Sequence, residues 1–296
     1  MTSTALSNYR VVRLKHIWRY LAAAVTVAIL ASIVIAFARA QIDWATVGEF
    51  FTARTILTGF VITIVLTIIS MVIGIVLGVL IAVMRLSHNP VVSGIGWIYV
   101  WVFRGTPVYL QLLLWFNIAL IFPMIGIPGL IEARTVDLVT PIVAAILGLG
   151  LNQAAYTSEV VRAGILSVDE GQTEASKALG IKGTQTMSTI VLPQAMRVIL
   201  PPVGNEVIGM LKTTSLASAI GASEMLNEAQ HIYLVNNMIM ELLLVTAIWY
   251  LIAVSVLSSI QYYVERFYAR GSTTAALPPT PFQRVKSFFG TPGRKS

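Results

Sequence analysis

The segment that decides the fold is TILTGFVITIVLTIISMVIGIVLGVLIAVM, residues 55–84, which contains no charged side chain. A helix needs about 20 consecutive apolar residues to cross the hydrocarbon core of a bilayer. The segment therefore predicts a membrane-spanning helix. Five further blocks have a similar apolar character, and the block 198–223 is interrupted only by Glu206 and Lys212. Together the six blocks cover residues 20–38, 55–84, 105–131, 138–158, 198–223 and 242–264.

The composition of the 296-residue chain supports the same class. It is 56% hydrophobic and 11% charged, with a mean hydropathy of +0.81, whereas soluble domains carry about 25% charged residues. We therefore expect an all-α integral membrane protein. The sequence has no cysteine, which excludes disulfides and thiolate metal sites. Its three histidines, His16, His88 and His231, are far apart, so no metal site is predicted.

The basic residues predict the orientation of the six spans. Short cytoplasmic loops are enriched in lysine and arginine. With the N-terminus inside, 15 of the 20 basic residues lie on the cytoplasmic side and three lie outside. Both termini are therefore expected in the cytoplasm, with the chain crossing the membrane six times. The same distribution accounts for the net charge of +7 without a nucleic-acid partner.

A long cytoplasmic loop, residues 165–193, separates the fourth and fifth blocks. Ser167 and Glu170 have the spacing of a capping box, in which each side chain satisfies a free backbone N–H. Gly180 stands where a helix ends in a left-handed residue. The pattern predicts a helix over residues 168–179.

Later residues in and after this loop carry further signals. Thr184 is expected to cap a second short helix, and Pro193 to stop or kink it. The pair Pro201-Pro202 predicts a kink or a re-entrant start within the fifth block, because proline removes backbone hydrogen bonds.

The loop also carries a motif with fixed spacing, E-A-A-x3-G-x9-I-x-L-P, with serine at the third position. The matching residues are Glu174, Ala175, Ser176, Gly180, Ile190, Leu192 and Pro193. The motif resembles the signature of permease subunits of binding-protein-dependent ABC importers. The resemblance implies that residues 165–193 form a coupling loop whose helix binds an ATPase. The residues expected to make this coupling are Glu170, Glu174, Ala175, Ser176, Leu179, Gly180, Leu192 and Pro193.

Other motifs narrow the resemblance to the polar amino-acid uptake family of histidine-, glutamine- and arginine-type permeases. They are Arg104-Gly-Thr-Pro107 with Gln111, Arg162-Ala-Gly-Ile165, Leu192-Pro-Gln-Ala195 and Leu211-Lys-Thr-Thr-Ser-Leu216. The resemblance implies a type I ABC importer transmembrane domain, with a five-helix core over residues 55–265. Residues 1–54 then add one N-terminal transmembrane helix, and residues 266–296 form a basic cytoplasmic tail.

The resemblance also implies a location in the bacterial inner membrane and a set of partners. The sequence lacks G-x-x-x-x-G-K-[ST], the loop that cradles phosphates. The chain is therefore expected to be a transport subunit without enzymatic activity or a cofactor of its own, with ATP and Mg²⁺ bound by an ABC ATPase dimer. A second permease subunit, identical or homologous, membrane lipid and an external substrate-binding protein complete the expected assembly. The binding protein would dock on loops such as 123–137 and 222–238.

Polar residues inside the apolar blocks are candidates for the substrate pathway, because ionisable groups are costly at membrane depth. Asn152, Tyr156 and Glu159 are spaced i, i+4 and i+7 and so share a helix face. An amino acid offers a carboxylate and an ammonium group, for which cations and acids are suitable partners. The pathway candidates are Asn152, Tyr156, Glu159, Lys212, Arg104, Glu206 and Ser215.

Each candidate also has a structural interpretation. Glu159 and Arg162 are spaced for a local ion pair that orients the coupling loop. Arg104 has the position of an anchor at the level of the lipid headgroups, and Tyr156 is suited to packing. At the level of the whole protein, the first alternative is an ion- or proton-coupled secondary transporter, in which Glu159 and Glu206 relay protons. The second is a non-transporting membrane anchor.

Overall fold

The computed structural model describes residues 17–127 and 131–269. The basic residues predicted for the N-terminal tail before Ile17, and the tail from residue 270, lie outside this range. The helices are α1 Ile17–Arg39, α2 Trp44–Phe51, α3 Arg54–Arg85, α4 Pro90–Gly105, α5 Val108–Phe116, α6 Thr135–Leu138, α7 Pro141–Leu166, α8 Glu170–Ala178, α9 Gly183–Thr186, α10 Leu192–Thr213, α11 Met225–Asn236 and α12 Ile239–Ala269. Two short strands, β1 Met124–Ile127 and β2 Ile131–Arg134, pair antiparallel.

The chain divides into two units, Met1–Trp44 and Ala45–Ser296. The described part of the first unit is mainly α1, a helix of 23 residues that carries no charge between Arg19 and Arg39. By length and hydropathy, three described helices could cross a membrane: Tyr20–Arg39, Arg54–Arg85 and Ile239–Tyr268. With 26 and 22 residues, α7 and α10 are also long enough, although both carry polar side chains.

The core of the second unit lies between α3, α5, α7 and α10. Its buried residues include Leu66, Leu112, Leu149 and Met210, one from each of these helices. Leu112 and Leu149 are fully or almost fully shielded from solvent, with exposures of 0% and 1%. The helix ends that surround this core position the polar groups described below.

Glycines bring α3 and α7 close together. A Cβ atom at Gly74 would lie 2.5 Å from Cγ of Gln153, and one at Gly78 would lie 2.8 Å from Cβ of Thr157. The spacing Gly74-x3-Gly78 places both glycines on one face, and small residues at such a spacing let two membrane helices approach closely. The close contact of α3 with α7 therefore depends on these two positions.

The apolar block 105–131 does not form one helix, so the predicted third span is wrong in its bounds. The chain instead runs through α4, breaks at Thr106 and Pro107, continues as α5 and then enters the β-hairpin. Thr106 is extended, as is usual for a residue before proline. Arg104 misled the prediction, because its charge looked like a boundary although it lies in the last turn of α4.

The proline predictions in α10 also need correction. Pro193 occupies the first turn of α10, where no N–H is required, and a π-helical segment Met187–Val191 precedes it. Pro201 and Pro202 lie within the single helix α10 rather than at a re-entrant start. The carbonyl of Pro201 accepts a hydrogen bond from the amide of Gln261 in α12, at 3.0 Å.

Glu224 lies in the segment 222–238 that is expected to be an external docking loop, and the structure buries its side chain completely. Its carboxylate caps α11 by accepting the backbone N–H of Asn227 at 2.7 Å. It also accepts hydrogen bonds from the hydroxyls of Tyr250 in α12 at 3.1 Å and Thr63 in α3 at 3.5 Å. One buried carboxylate thereby joins three helices.

The glycine contact between α3 and α7 can be tested with Gly78→Ala. The added methyl group would meet Thr157 and the backbone oxygen of Ala154, neither of which is a flexible side-chain end. We expect the free energy of unfolding to fall by about 1–3 kcal/mol, the usual effect of overpacking. The measurement is the thermal unfolding midpoint in detergent, which should be lower than in the wild type. The matched control is Gly94→Ala, whose Cβ would have nothing within 4 Å. It should leave the midpoint unchanged or raise it, and equal losses in both variants would contradict the assignment.

Candidate functional site

The break between α4 and α5 is held by two amide side chains. Gln111 is buried and donates to the carbonyls of Phe103 at 2.9 Å and Thr106 at 3.1 Å, and to the Thr106 hydroxyl at 2.8 Å. Asn152 of α7 donates to the same Phe103 carbonyl at 2.8 Å and to the side-chain oxygen of Gln111 at 3.3 Å. These bonds satisfy carbonyls that the interrupted helix leaves without a partner. The Arg104-Gly-Thr-Pro107 motif is therefore supported by Gln111 and Asn152.

The predicted shared face of Asn152, Tyr156 and Glu159 packs against the end of α4. Asn152 binds the carbonyl of Phe103, the guanidinium of Arg104 lies 5.1 Å from the centroid of the Tyr156 ring, and Arg104 Nη1 lies 3.7 Å from Glu159 Oε1. The geometry of Arg104 over Tyr156 is that of a cation–π contact. Three residues of α7, each one turn from the next, thus contact two successive residues of α4.

Glu159 lies within a cluster of three arginines. Arg85, the last residue of α3, makes the closest pair with Oε1, and Arg162 contacts Oε2 at 3.2 Å. Arg104 is the third partner. The pair of Glu159 with Arg162 that the sequence suggested is present, but it is part of this larger cluster. Since one carboxylate faces three guanidinium groups, the cluster carries excess positive charge.

A cavity of about 600 Å³ opens beside the break. Arg104, Asn152, Tyr156 and Glu206 from the predicted pathway set line it together. The other lining residues are Gly105, Thr106, Pro107, Val108, Leu149, Gln153, Gly209, Met210 and Thr213. The cavity therefore places a cation and a carboxylate on the wall of one space large enough for a small ligand.

The other predicted pathway residues lie elsewhere. Glu159 lines a neighbouring cavity of about 340 Å³, also bounded by Arg104 and Tyr156. Lys212 and Ser215 do not line the larger cavity. The last residue of α10, Thr213, lines it instead. Lys212 is exposed, and the hydroxyl of Ser215 donates to its carbonyl at 2.7 Å.

Two residues that sequence reasoning missed hold Glu206 in place. The amide of Gln153 donates to Glu206 Oε2 at 2.7 Å, and the hydroxyl of Thr157 donates to the same oxygen at 2.9 Å. Both side chains are buried. Their i, i+4 spacing beside Asn152 and Tyr156 was a usable signal, because it places them on an adjacent stripe of α7.

The end of α8, the helix predicted over residues 168–179, is as predicted. Gly180 has φ +71°, and the N–H groups of Gly180 and Ile181 donate to the carbonyls of Lys177 and Ser176, each at 3.0 Å. This pair of bonds is the Schellman motif that ends a helix on a left-handed residue. The left-handed conformation predicted for Gly180 is confirmed.

The beginning of the same helix was predicted wrongly. Asp169 caps α8 by accepting the N–H of Gly171 at 2.7 Å, while Ser167 belongs to the end of α7 and donates to the carbonyl of Gly164. Ser167 and Glu170 therefore form no capping box, because α7 extends to Leu166 and Ser167 is its C-cap residue. Thr184 lies inside α9, which starts after Lys182 without a side-chain cap.

The residues predicted to bind the ATPase form a largely exposed surface. Leu179 is 79% exposed, an unusual position for a large apolar side chain at the end of a polar helix. Ser176 is the exception, since it is buried and its hydroxyl bonds the carbonyl of Gln172 at 2.7 Å. The other members of the set, Glu170, Glu174, Ala175, Gly180, Leu192 and Pro193, are exposed.

Comparison with known proteins identifies the family. The profile described as "Binding-protein-dependent transport system inner membrane component" matches residues 74–270. The chain belongs to this family. The arginine transport system permease protein ArgU of Corynebacterium glutamicum is 45% identical over 263 residues, 88% of this chain and 83% of the relative. The cystine permease TcyL of Bacillus subtilis is 37% identical over 171 residues, 57% of this chain and 68% of the relative.

A solved structure supports the fold. The crystal structure of an amino acid ABC transporter with histidines superposes with a TM-score of 0.67 at 31% identity, covering 77% of this chain and 100% of that chain. The fold is that of a type I ABC importer transmembrane domain. The chain is a membrane permease subunit of the polar amino-acid uptake family, and ATP hydrolysis in such importers lies in a separate ATPase subunit.

The amide support of the α4–α5 break can be tested with Gln111→Ala. Removing a buried donor leaves the carbonyls of Phe103 and Thr106 with fewer partners, which costs about 1–3 kcal/mol. We expect a lower thermal unfolding midpoint of the purified subunit. Gln194→Ala is the control, because the Gln194 amide bonds only the carbonyl one turn before it on an exposed surface. A midpoint unchanged by Gln111→Ala would show that the break does not depend on this amide.

Proposed function

We propose that this chain translocates a polar amino acid across the inner membrane by alternating access, driven by an ATPase dimer that binds the coupling loop. The observation that carries the proposal is the cavity beside the α4–α5 break, in which Arg104 and Glu206 face one space. The guanidinium suits the α-carboxylate of an amino acid, and the carboxylate suits an ammonium or guanidinium group. The cavity and the exposed coupling helix are connected by one continuous helix, α7.

The assembly we propose contains partners for the coupling loop and for the external segments. The coupling loop faces the cytoplasm, and both termini lie on that side, as the distribution of basic residues indicates. A second permease subunit, identical or homologous, pairs with this one so that each binds one ATPase subunit. An external binding protein delivers the substrate to segments 123–137 and 222–238. Arginine is the first substrate to test, because the 45% identical relative is named for its transport.

Transport can be tested in proteoliposomes that contain the permease, its ATPase and its binding protein. We expect uptake of labelled arginine that requires both ATP and the binding protein. In Glu206→Gln the uptake should fall about tenfold or more, because a charge-assisted hydrogen bond contributes about 1.5–3 kcal/mol. Glu265→Gln is the control, since this residue bonds Gln261 near the end of α12 and lies away from the cavity. Uptake that persists without the ATPase would instead support a secondary transporter.

The two docking surfaces can be distinguished with a pair of matched variants. Leu179→Asp places a charge on the coupling helix and should abolish co-purification of the ATPase, because an apolar contact would be lost. Leu234→Asp makes the same change at a residue of α11 that is 72% exposed and predicted to be external. It should preserve ATPase binding and weaken stimulation by the binding protein. If Leu179→Asp retained the ATPase while Leu234→Asp lost it, the proposed orientation would be wrong.

A further inference from the structure

Arg104 occupies a special position between the two cavities. Arg104, Gly105 and Tyr156 line both the larger cavity, which contains Glu206, and the smaller cavity, which contains Glu159. Arg104 is therefore a shared wall, with a carboxylate partner on one side and open space for a ligand on the other. From this position Arg104 faces two possible partners, Glu159 and a ligand in the larger cavity.

The contacts of Glu159 indicate that Arg104 is its most weakly held partner. Arg85 makes the closest pair, and Arg162 lies at 3.2 Å, while Arg104 lies at 3.7 Å. The side chain of Arg104 is 43% exposed, whereas those of Arg85 and Arg162 are 14% and 32% exposed. Glu159 would thus keep two arginines if Arg104 left it. Its negative charge stays compensated by Arg85 and Arg162.

The open space beside Arg104 leaves room for its guanidinium to move while α4 stays intact. Gly105 follows directly, and a Cβ atom there would have no neighbour within 4 Å. The helix ends at this point, and the carbonyls around it are held by Gln111 and Asn152 rather than by Arg104. The anchoring of the break and the position of the guanidinium are therefore separate functions of separate side chains.

We propose that Arg104 exchanges its carboxylate partner during transport, from Glu159 in the empty permease to the carboxylate of the substrate in the loaded one. The proposal rests on the transport function proposed above and names its specificity-determining residue. A planar guanidinium can bind either carboxylate in a forked geometry. Substrates without a free carboxylate would leave Arg104 on Glu159.

The exchange would also couple the occupancy of the cavity to the coupling loop. Glu159 and the first residue of α8 belong to consecutive helices, and α7 ends only seven residues after Glu159, about 10 Å along the axis. When Arg104 leaves, the link between the end of α4 and this part of α7 is released, while the links to Arg85 and Arg162 remain. A ligand that favours one of two contact arrangements shifts the population towards it.

The test uses the reconstituted permease with its ATPase and binding protein. Glu159→Gln removes the charge that competes for Arg104, so the KM for arginine uptake should fall about three- to tenfold. ATP hydrolysis without substrate should rise, and its stimulation by substrate should fall to less than half of the wild-type ratio. Arg162→Gln is the matched control, because Arg162 contacts the same carboxylate but lines neither cavity. Arg162 is one of the two arginines that would stay on Glu159, so its loss should strengthen the hold of Glu159 on Arg104, and the KM should rise rather than fall.

A second variant covers the case in which Glu159→Gln does not assemble. Arg104→Lys keeps the positive charge and leaves Arg85 and Arg162 on Glu159, but it loses the forked donor, so the KM should rise at least about fivefold. An unchanged KM in Arg104→Lys, or the same change in Arg162→Gln as in Glu159→Gln, would overturn the exchange. If the wild-type complex shows no ATP-dependent uptake, the proposed transport function itself fails. If the wild-type complex shows normal uptake but the variants keep the wild-type KM, the exchange is refuted and the transport function is not.

Discussion

A helix that breaks in the interior of a membrane protein must find partners for the backbone groups that the break exposes, because buried backbone groups are costly without hydrogen bonds. In this protein the break lies between α4 and α5, and the side-chain amides of Gln111 and Asn152 supply those partners. Asn152 belongs to α7, so the requirement of one interrupted helix is satisfied by another. The contact of α4 with α7, the wall of the larger cavity and the backbone position of Arg104 all depend on that arrangement.

The same arrangement explains why polar residues in α7 have two kinds of role. Asn152, Tyr156 and Glu159 face the end of α4, whereas Gln153 and Thr157, one position further along each time, face Glu206 of α10. These polar groups make α7 less apolar than α3, although both helices contribute many buried residues. The lower hydropathy of α7 follows because its polar side chains bind both α4 and α10.

Local sequence signals predicted local features and failed where distant partners decide. Gly180 was correctly predicted, because a helix end is encoded within five residues. The shared face of Asn152, Tyr156 and Glu159 also follows from helical periodicity, but the sequence could not show that this face meets α4. Arg104 was taken as the boundary of a span, because its partner Glu159 is 55 positions away in the chain. The burial of Glu224 could not be predicted for the same reason, since its partners Thr63 and Tyr250 lie on other helices.

The influence of α3 on the cavity shows how far such distant effects extend, although α3 contributes no residue to its lining. Gly74 contacts Gln153, and Gly78 contacts Thr157. Gln153 and Thr157 are the two residues that donate hydrogen bonds to Glu206. Larger side chains at the glycines would push α7 away and displace both donors from the carboxylate. A packing feature made of two missing side chains thus determines how the negative charge in the cavity is held.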